Sequence, residues 1–196
     1  MKKKIIYFHG HLGAGKTSTA NRVAEILGYK RMSAGYFFRK EAEERGMSLV
    51  ELNQYIQKDP SVDIEVDNRQ KEYINSGEEL VLDGRIGFYL APGVIFNVFL
   101  DLDTQTAATR ILSDKANNPD RQMETAKDTK DMMDDLEERT ELERQKLEQF
   151  YGIKNCFDKS HFDLVVDTKK HSLDEVVQIV IDAYRGWLEE PNTTNI

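Results

Sequence analysis

The segment from residue 10 to residue 17, GHLGAGKT, constrains this chain more than any other. It follows the apolar run Ile5–Phe8 and matches the phosphate-binding pattern G-x-x-x-x-G-K-[ST], which joins a buried strand to a helix. Glycines let successive backbone N–H groups turn inward around an anion, and the helix that follows points its positive dipole end at the same phosphates. We therefore predict nucleotide contacts from the loop and the first helical residues: Gly10, His11, Leu12, Gly13, Ala14, Gly15, Lys16, Thr17 and Ser18.

Two side chains of this loop have the chemistry that a nucleotide triphosphate requires. Lys16 supplies a positive charge for the β- and γ-phosphates, and Thr17 supplies a hydroxyl to a Mg²⁺ ion that bridges those oxygens. The alternative is an ordinary glycine turn that caps a helix, and the strand pattern in front of the loop argues against it.

Chain length and composition exclude several other classes of protein. With 196 residues, the chain has room for one α/β core and one or two inserted segments. It has no apolar run near 18 residues, and Lys2–Lys4 leads into a short strand rather than a signal peptide, so we expect a cytoplasmic protein that does not bind membranes. A net charge of −8 argues against binding to nucleic acid polymers. The single cysteine, Cys156, excludes an internal disulfide, and we expect a monomer.

Short apolar runs alternate with amphipathic stretches along the chain, which is typical of buried parallel strands connected by helices. The predicted strands are Lys4–Phe8, Leu80–Leu82, Val94–Leu100 and Leu164–Val166, with a weaker fifth at Tyr29–Ser33. The predicted helices are Lys16–Leu27, Ala34–Arg45, Leu49–Gln57, Val62–Asn75, Thr104–Lys115, Thr129–Tyr151 and Leu173–Leu188. This order predicts a doubly wound α/β layer that binds its ligands at the carboxyl ends of the strands.

Two segments are longer than a crossover connection requires. The first, about 35–77, is helical, and the second, about 116–130, is polar. We interpret them as a binding insert and a lid within one domain of residues 1–188, followed by a polar tail at 189–196. A solvated helical hairpin and a plain surface loop are the alternatives.

Charged residues follow two of the predicted strands. Asp83 and Arg85 come directly after Leu80–Leu82, where an acid can hold Mg²⁺ through water and a guanidinium can face the same crevice. Ser33 and Gly35 begin a helix after the weaker strand, and Arg39 lies one turn further on. A helix start and a guanidinium group together would hold a second phosphate.

The long helix near the C-terminal third mixes cations with acids. Arg139, Arg144 and Lys146 either form ion pairs on a solvated face or bring positive charge over the phosphates when the lid closes. Arg110 on the preceding helix and Arg121 in the lid are further candidates, and we assign Arg110 to the nucleotide donor.

Taken in order, these motifs resemble a known family. The phosphate loop, Ser33-Ala34-Gly35 with Arg39, Gly46-Met47-Ser48-Leu49, Asp59-Pro60, Asp67-x-Arg69-Gln70, Asp83-Gly84-Arg85, Arg139 and Tyr151-Gly152-Ile153 are similar to cytidylate kinases of the archaeal-type group, over about residues 4 to 185. The resemblance implies a P-loop NTPase fold: a five-stranded parallel sheet with helices on both faces, a helical acceptor-binding insert and a lid. It also implies an ATP-dependent nucleoside monophosphate kinase, with ATP and Mg²⁺ as donor and CMP or dCMP as acceptor.

The resemblance also implies roles for individual residues. Lys16 and the loop amides would hold the donor phosphates, Arg39 and Arg85 the acceptor phosphate, and Arg139 the transferring group. The insert residues that could contact the base are Asp63, Asp67, Arg69 and Gln70, and the sequence does not decide among them. The chain departs from the family pattern at Tyr36, Asp114 and Lys146. Two alternatives therefore stay open: a kinase of the same fold with another small acceptor, and a nucleotide-binding regulatory protein with weak transfer.

Overall fold

A computed structural model describes residues 1–59, 61–114 and 126–191 of the chain. Five strands form one sheet in the order β2-β3-β1-β4-β5, and every neighbouring pair is parallel. The strands are β1 (Ile5–Gly10), β2 (Lys30–Ser33), β3 (Leu80–Asp83), β4 (Phe96–Asp101) and β5 (Leu164–Asp167). The predicted fold class is confirmed, and the strand that the sequence indicated only weakly is β2, at one edge of the sheet.

Helices connect the strands within the described part of the chain. They are α1 (Lys16–Leu27), α2 (Ala34–Glu44), α3 (Leu49–Lys58), α4 (Ser61–Asn75), α5 (Gly87–Leu90), α6 (Thr104–Asp114), α7 (Thr129–Tyr151) and α8 (Leu173–Glu189). The predicted helices all occur, with bounds that differ by at most one residue. The short helix α5 and a 3-10 turn at Lys159–His161 were not predicted, because neither is long enough to show a helical period.

Alternate residues of the central strand β1 face two separate cores. Ile6 and Phe8 pack with α1, α6 and α8 on one face of the sheet, whereas Ile5 and Tyr7 pack with α2 and α4 on the other. All four side chains are at most 1% exposed. The strand is therefore buried on both faces, which explains why its sequence is continuously apolar.

A buried acid joins the first and third helices of the 35–77 segment. Glu41 on α2 is 2% exposed, and its carboxylate pairs with Arg45 on the same helix and with Arg69 on α4, at 2.9 Å from Arg69 Nε. Burying a carboxylate is costly unless cations and donors surround it, so these pairs fix α2 against α4. The assignment of residues 1–188 to one domain stays a prediction. None of the helices described here is both long and apolar enough to cross a membrane.

Candidate active site

The phosphate-binding loop lies between β1 and α1, at the carboxyl edge of the sheet. Gly13 and Gly15 have φ angles of 77° and 84°, in the left-handed region that favours glycine. A Cβ atom on Gly13 would lie 3.2 Å from Ala107 of α6, so this glycine also allows close packing. Lys16 Nζ donates to the carbonyl oxygens of Gly10 at 2.6 Å and His11 at 2.8 Å. The ammonium group is thus held across the loop, ready to exchange carbonyl oxygens for phosphate oxygens.

Two histidines flank the start of the loop, and for both of them burial disfavours the protonated, positively charged form of the imidazole. Burial lowers the pKa of His9 to about 3. Burial also lowers the pKa of His11, although its Nε2 lies 3.4 Å from Asp101 Oδ1, and its ring stacks on Phe157 at 5.0 Å. The positive charge of the loop at neutral pH therefore comes from Lys16, together with the dipole of α1.

A first cleft of about 860 Å³ runs from the outer side of the loop to the end of β5. Arg110 lies in it and donates from Nη2 to the Thr168 carbonyl oxygen at 2.7 Å. The sequence analysis identified the loop residues and Arg110 but missed Thr168, because no motif marks the residue after β5. Lining residues include Leu12, Gly13, Ala14, Gly15, Lys16, Thr17, Ser18, Arg110, Asp114, Thr168, His171 and Ser172.

A second cleft of about 390 Å³ lies between the loop and the segment of α2 to α4. It shares Leu12, Lys16 and Thr17 with the first cleft, so the two clefts meet at the loop lysine. The other lining residues are Gly10, His11, Ser33, Ala34, Gly35, Arg39, Asp83, Gly84, Arg85, Thr140, Glu143 and Phe157. The structure thus brings together the residues after β2, after β3 and in the loop, as the sequence predicted.

Arg39 and Arg85 add two cations to Lys16 in the second cleft. A Cβ atom on residue 35 would lie 3.3 Å from Arg39 Nη1, so Gly35 leaves the space that this guanidinium uses. Ser33 caps α2 by accepting a hydrogen bond from the Tyr36 amide at 3.1 Å, which fixes the turn that carries Arg39. The Arg85 side chain is 41% exposed, and its Nε lies 3.9 Å from Glu143 Oε1.

Asp83 ends β3 beside this cleft. Its Oδ1 lies 2.9 Å from Arg31 Nη2, yet this buried oxygen completes no hydrogen bond. A carboxylate with unused lone pairs can accept a hydrogen bond from a metal-bound water, and the exposed hydroxyl of Thr17 lines the same cleft. These two side chains are therefore compatible with Mg²⁺, and that they hold it stays a prediction.

Beyond Arg85 the second cleft continues into a small inner pocket of about 30 Å³, between α4 and α7. A space of this size holds no more than one or two water molecules. Two contacts draw the helices together across it: Lys146 Nζ lies 3.1 Å from Asp63 Oδ2, and the Tyr151 hydroxyl donates to Asp67 Oδ2 at 2.7 Å. The remaining lining residues are Ala34, Phe38, Gln70, Gly84, Arg85, Leu147 and Phe150.

Asp67 has an unusual environment in this pocket. Burial raises its pKa from 3.8 to about 6, and neighbouring Asp63 adds to the effect. The hydrogen bond from Tyr151 and the charge of Arg85 act in the opposite direction and are the weaker influence. A carboxylate that is costly to ionise where it stands and that lines a pocket is a candidate for ligand recognition.

Two predicted site residues lie in ion pairs outside these clefts. Arg69 donates to both oxygens of Glu44 and also pairs with Glu41, and Arg144 pairs with Glu141 and Glu148 on the solvated side of α7. The structure therefore does not support base contact by Arg69, or phosphate contact by Arg144 in this conformation.

Arg139 differs from those two because of its position along α7. It lies one turn before Glu143, a residue that lines the second cleft, and pairs with Asp135 at 2.9 Å. Arg121 and most of the predicted lid fall outside the described residues.

Comparison with known proteins agrees with this arrangement. A family model described as an AAA domain matches residues 10–141, from the phosphate loop into α7. The cytidylate kinase of Methanopyrus kandleri is 34% identical to the chain over 94% of it and 95% of the relative. The chain belongs to the cytidylate kinase family. A second member, from Pyrobaculum aerophilum, is 31% identical over 91% of each chain.

Solved structures of more distant proteins share the fold of this family member. Shikimate kinase from Acinetobacter baumannii in complex with shikimate superposes with a TM-score of 0.60 and covers 95% of each chain, at 17% identity. Structural similarity at this level of sequence identity shows a common P-loop kinase fold. It does not identify the acceptor, which has to be inferred from the site itself.

Proposed function

We propose that this protein transfers the γ-phosphate of ATP to CMP or dCMP and releases ADP and the nucleoside diphosphate. The observation that supports this most is the meeting of two clefts at Lys16 and Thr17. One cleft contains the phosphate loop, and the other contains two arginines and leads to a polar pocket. Donor and acceptor phosphates would therefore face each other across the loop lysine.

The first cleft would hold the donor. Backbone N–H groups of the loop and the dipole of α1 would bind the β- and γ-phosphates, and Lys16 would move from the Gly10 and His11 carbonyls to phosphate oxygens. Arg110 lies in the same cleft, anchored on Thr168, where its guanidinium could face the donor nucleotide.

Thr17 and Asp83 would hold Mg²⁺, Thr17 through its hydroxyl and Asp83 through water. The ion would offset the negative charge on the β- and γ-phosphates. Arg31 keeps the Asp83 carboxylate at the end of β3 through the 2.9 Å contact described above.

The second cleft would hold the acceptor monophosphate. Arg39 and Arg85 can form charge-assisted hydrogen bonds with its oxygens. A phosphate monoester carries ionised oxygens at neutral pH, so the attacking oxygen needs no general base. That oxygen would bond to the γ-phosphorus as the bond from this phosphorus to the bridging oxygen of ATP breaks, and Arg139 would neutralise charge on the group in transfer.

The inner pocket would hold the base, with Asp63, Asp67 and Gln70 as its polar wall. A pyrimidine ring needs more than about 30 Å³, so α4 and α7 must separate before the base enters. This separation of the helices would break the Asp63–Lys146 ion pair and the Asp67–Tyr151 hydrogen bond.

An acceptor panel at fixed ATP and Mg²⁺ tests the proposal. CMP, dCMP, UMP, AMP, GMP and shikimate are compared by kcat/KM, with Lys16→Ala as the control that lacks the loop cation. We expect CMP or dCMP to have the highest value and Lys16→Ala to be inactive with both. A higher value for any other acceptor would contradict the proposed substrate while leaving the family membership intact.

A further inference from the structure

A chain of hydrogen bonds runs from the centre of the sheet to the inner pocket. The Tyr7 hydroxyl on β1 donates to Gln70 Oε1 at 2.7 Å, and Gln70 Nε2 donates to Asp67 Oδ1 at 2.8 Å. Tyr7 is fully buried and Gln70 is 2% exposed, whereas Asp67 lines the pocket. No step described above uses Tyr7, although its ring occupies the centre of the core on this face of the sheet.

The space for the Tyr7 side chain is provided by two glycines that follow β3. A Cβ atom on Gly84 would overlap the Tyr7 hydroxyl oxygen, and a Cβ atom on Gly87 would overlap the ring. The Gly84 position also lies against Gln70 Oε1, at 3.2 Å from an added Cβ. Tyr7 therefore has a single position, with its hydroxyl directed at the Gln70 amide.

While Asp67 is ionised, the donors and acceptors along this chain of hydrogen bonds can be arranged in only one way. A carboxylate only accepts hydrogen bonds, so Gln70 must turn its NH₂ group to Asp67 and its oxygen to Tyr7. The Tyr7 hydroxyl stays protonated because burial, and then the charges of Asp67 and Asp83, raise its pKa well above the usual value. Tyr7 thus donates to the amide oxygen and, together with the Asp67 carboxylate, favours this orientation of the Gln70 amide.

The fixed direction gives the pocket a defined hydrogen-bonding pattern. Asp67 retains unused lone pairs beyond those that Gln70 and Tyr151 occupy, so it can accept a further hydrogen bond. Gln70 Nε2 has two hydrogens and uses one on Asp67, so it can donate the other. An acceptor beside a donor complements the 4-amino group and N3 of cytosine, and it opposes O4 and N3–H of uracil.

We propose that Tyr7 is a positioning residue that holds the Gln70 amide in one orientation and thereby makes the pocket select cytosine over uracil. The inference rests on the proposed function, because it assumes that the acceptor base enters this pocket. Tyr7 itself touches no substrate and acts through Gln70 and Asp67.

The test compares CMP with UMP in Tyr7→Phe. The variant keeps the ring and removes only the hydroxyl, so that Asp67 alone then holds the orientation of the Gln70 amide. We expect the ratio of kcat/KM for CMP to that for UMP to fall about tenfold, the factor that corresponds to one hydrogen bond, with KM for ATP unchanged. A purely structural role would lower both values together and leave the ratio as it was.

Tyr184→Phe is the matched control. Tyr184 is also a buried tyrosine, and its hydroxyl lies 3.3 Å from that of Tyr29, in the core on the opposite face of the sheet. We expect this variant to keep the wild-type ratio. A tenfold fall in Tyr184→Phe as well would assign the effect to general loosening of the core and overturn the inference.

A second variant decides the matter if Tyr7→Phe does not fold. Asp67→Asn replaces the obligate acceptor by an amide that can donate to O4 of uracil, and we expect the same ratio to fall. An unchanged ratio in folded Tyr7→Phe overturns the role of Tyr7, and an unchanged ratio in folded Asp67→Asn overturns the hydrogen-bonding pattern on which that role depends. Equilibrium binding of CMP and UMP to the wild type separates this result from failure of the proposed function. Selective CMP binding without transfer contradicts the kinase proposal alone, whereas equal binding of both nucleotides contradicts the specificity.

Discussion

The Asp67 carboxylate is expected to lower the stability of the folded protein while it contributes to activity, so its substitution should change the two in opposite directions. Its carboxyl has a pKa of about 6 in the folded protein against a usual value of 3.8, so the ionised form is disfavoured by folding. Between these two values the folded protein keeps a proton that the unfolded chain has lost. Stability therefore falls as pH rises from about 4 to 6, and the full cost is present at neutral pH.

Replacing Asp67 by asparagine removes this cost. A shift of about two pKa units corresponds to at most about 3 kcal/mol, or roughly 6 to 12 °C in Tm for a chain of this length. The local bonds survive, since the new amide oxygen can accept from Gln70 and its NH₂ group can donate to the Tyr151 hydroxyl. We expect Asp67→Asn to melt above the wild type at pH 7.5, to match it near pH 4, and to lose activity with CMP.

Thermal melting of both proteins across pH 4 to 8 measures the difference. Asp103→Asn is the control with the opposite sign. The Asp103 carboxylate accepts hydrogen bonds from the Thr106 backbone and from Lys169, which hold its pKa below the usual range, so its loss should lower Tm at neutral pH. A Tm difference for Asp67→Asn that is the same at pH 4 and pH 7.5, or a lower Tm at pH 7.5, would refute the reasoning.

Four further substitutions test the rest of the site. Lys16→Ala should lower kcat at least about 100-fold with little change in Tm, because the lysine lies in the phosphate loop, where it donates to the Gly10 and His11 carbonyls, and contributes little to the core; wild-type turnover in the folded variant would contradict the loop assignment. Arg39→Lys and Arg85→Lys should each raise KM for CMP about tenfold and KM for ATP little, since lysine cannot form the paired hydrogen bonds of a guanidinium; a larger change for ATP would mean that the two phosphate sites are reversed. Gly84→Ala should cost about 3 kcal/mol in urea unfolding, because the added methyl group overlaps the Tyr7 hydroxyl; an unchanged midpoint would show that Tyr7 can move.

Much of the fold follows from local sequence patterns. The strands are short and apolar because helices cover both faces of the sheet, as the burial of β1 shows. The weaker strand, β2, is one of the two edge strands, and its Lys30 is exposed and paired with Glu78. An edge strand buries fewer residues, so its pattern carries less signal.

The inner pocket shows where sequence reasoning stops. Asp63, Asp67 and Gln70 are spaced by four and three residues and share one face of α4, whereas Arg69 projects from another face and pairs with Glu44. Helical spacing places Arg69 on a different face of α4 from the other three residues. Only the packing of α2 and α7 shows which of these faces lines the pocket. The proposed role of Tyr7 could not be predicted for a different reason. Inside an apolar run, a tyrosine has the pattern of any core residue, and only the structure shows which group its hydroxyl contacts.

The central claim is that a phosphoryl group passes from ATP to the phosphate of CMP, and labelled phosphate tests it most directly. ATP labelled at the γ-phosphate is incubated with the protein, Mg²⁺ and CMP, and the products are separated by anion exchange. The account predicts that the label appears at the β-position of CDP, in step with ADP formation, and that Lys16→Ala gives none. Label released as inorganic phosphate, or label retained in ATP while CMP is bound, would contradict it.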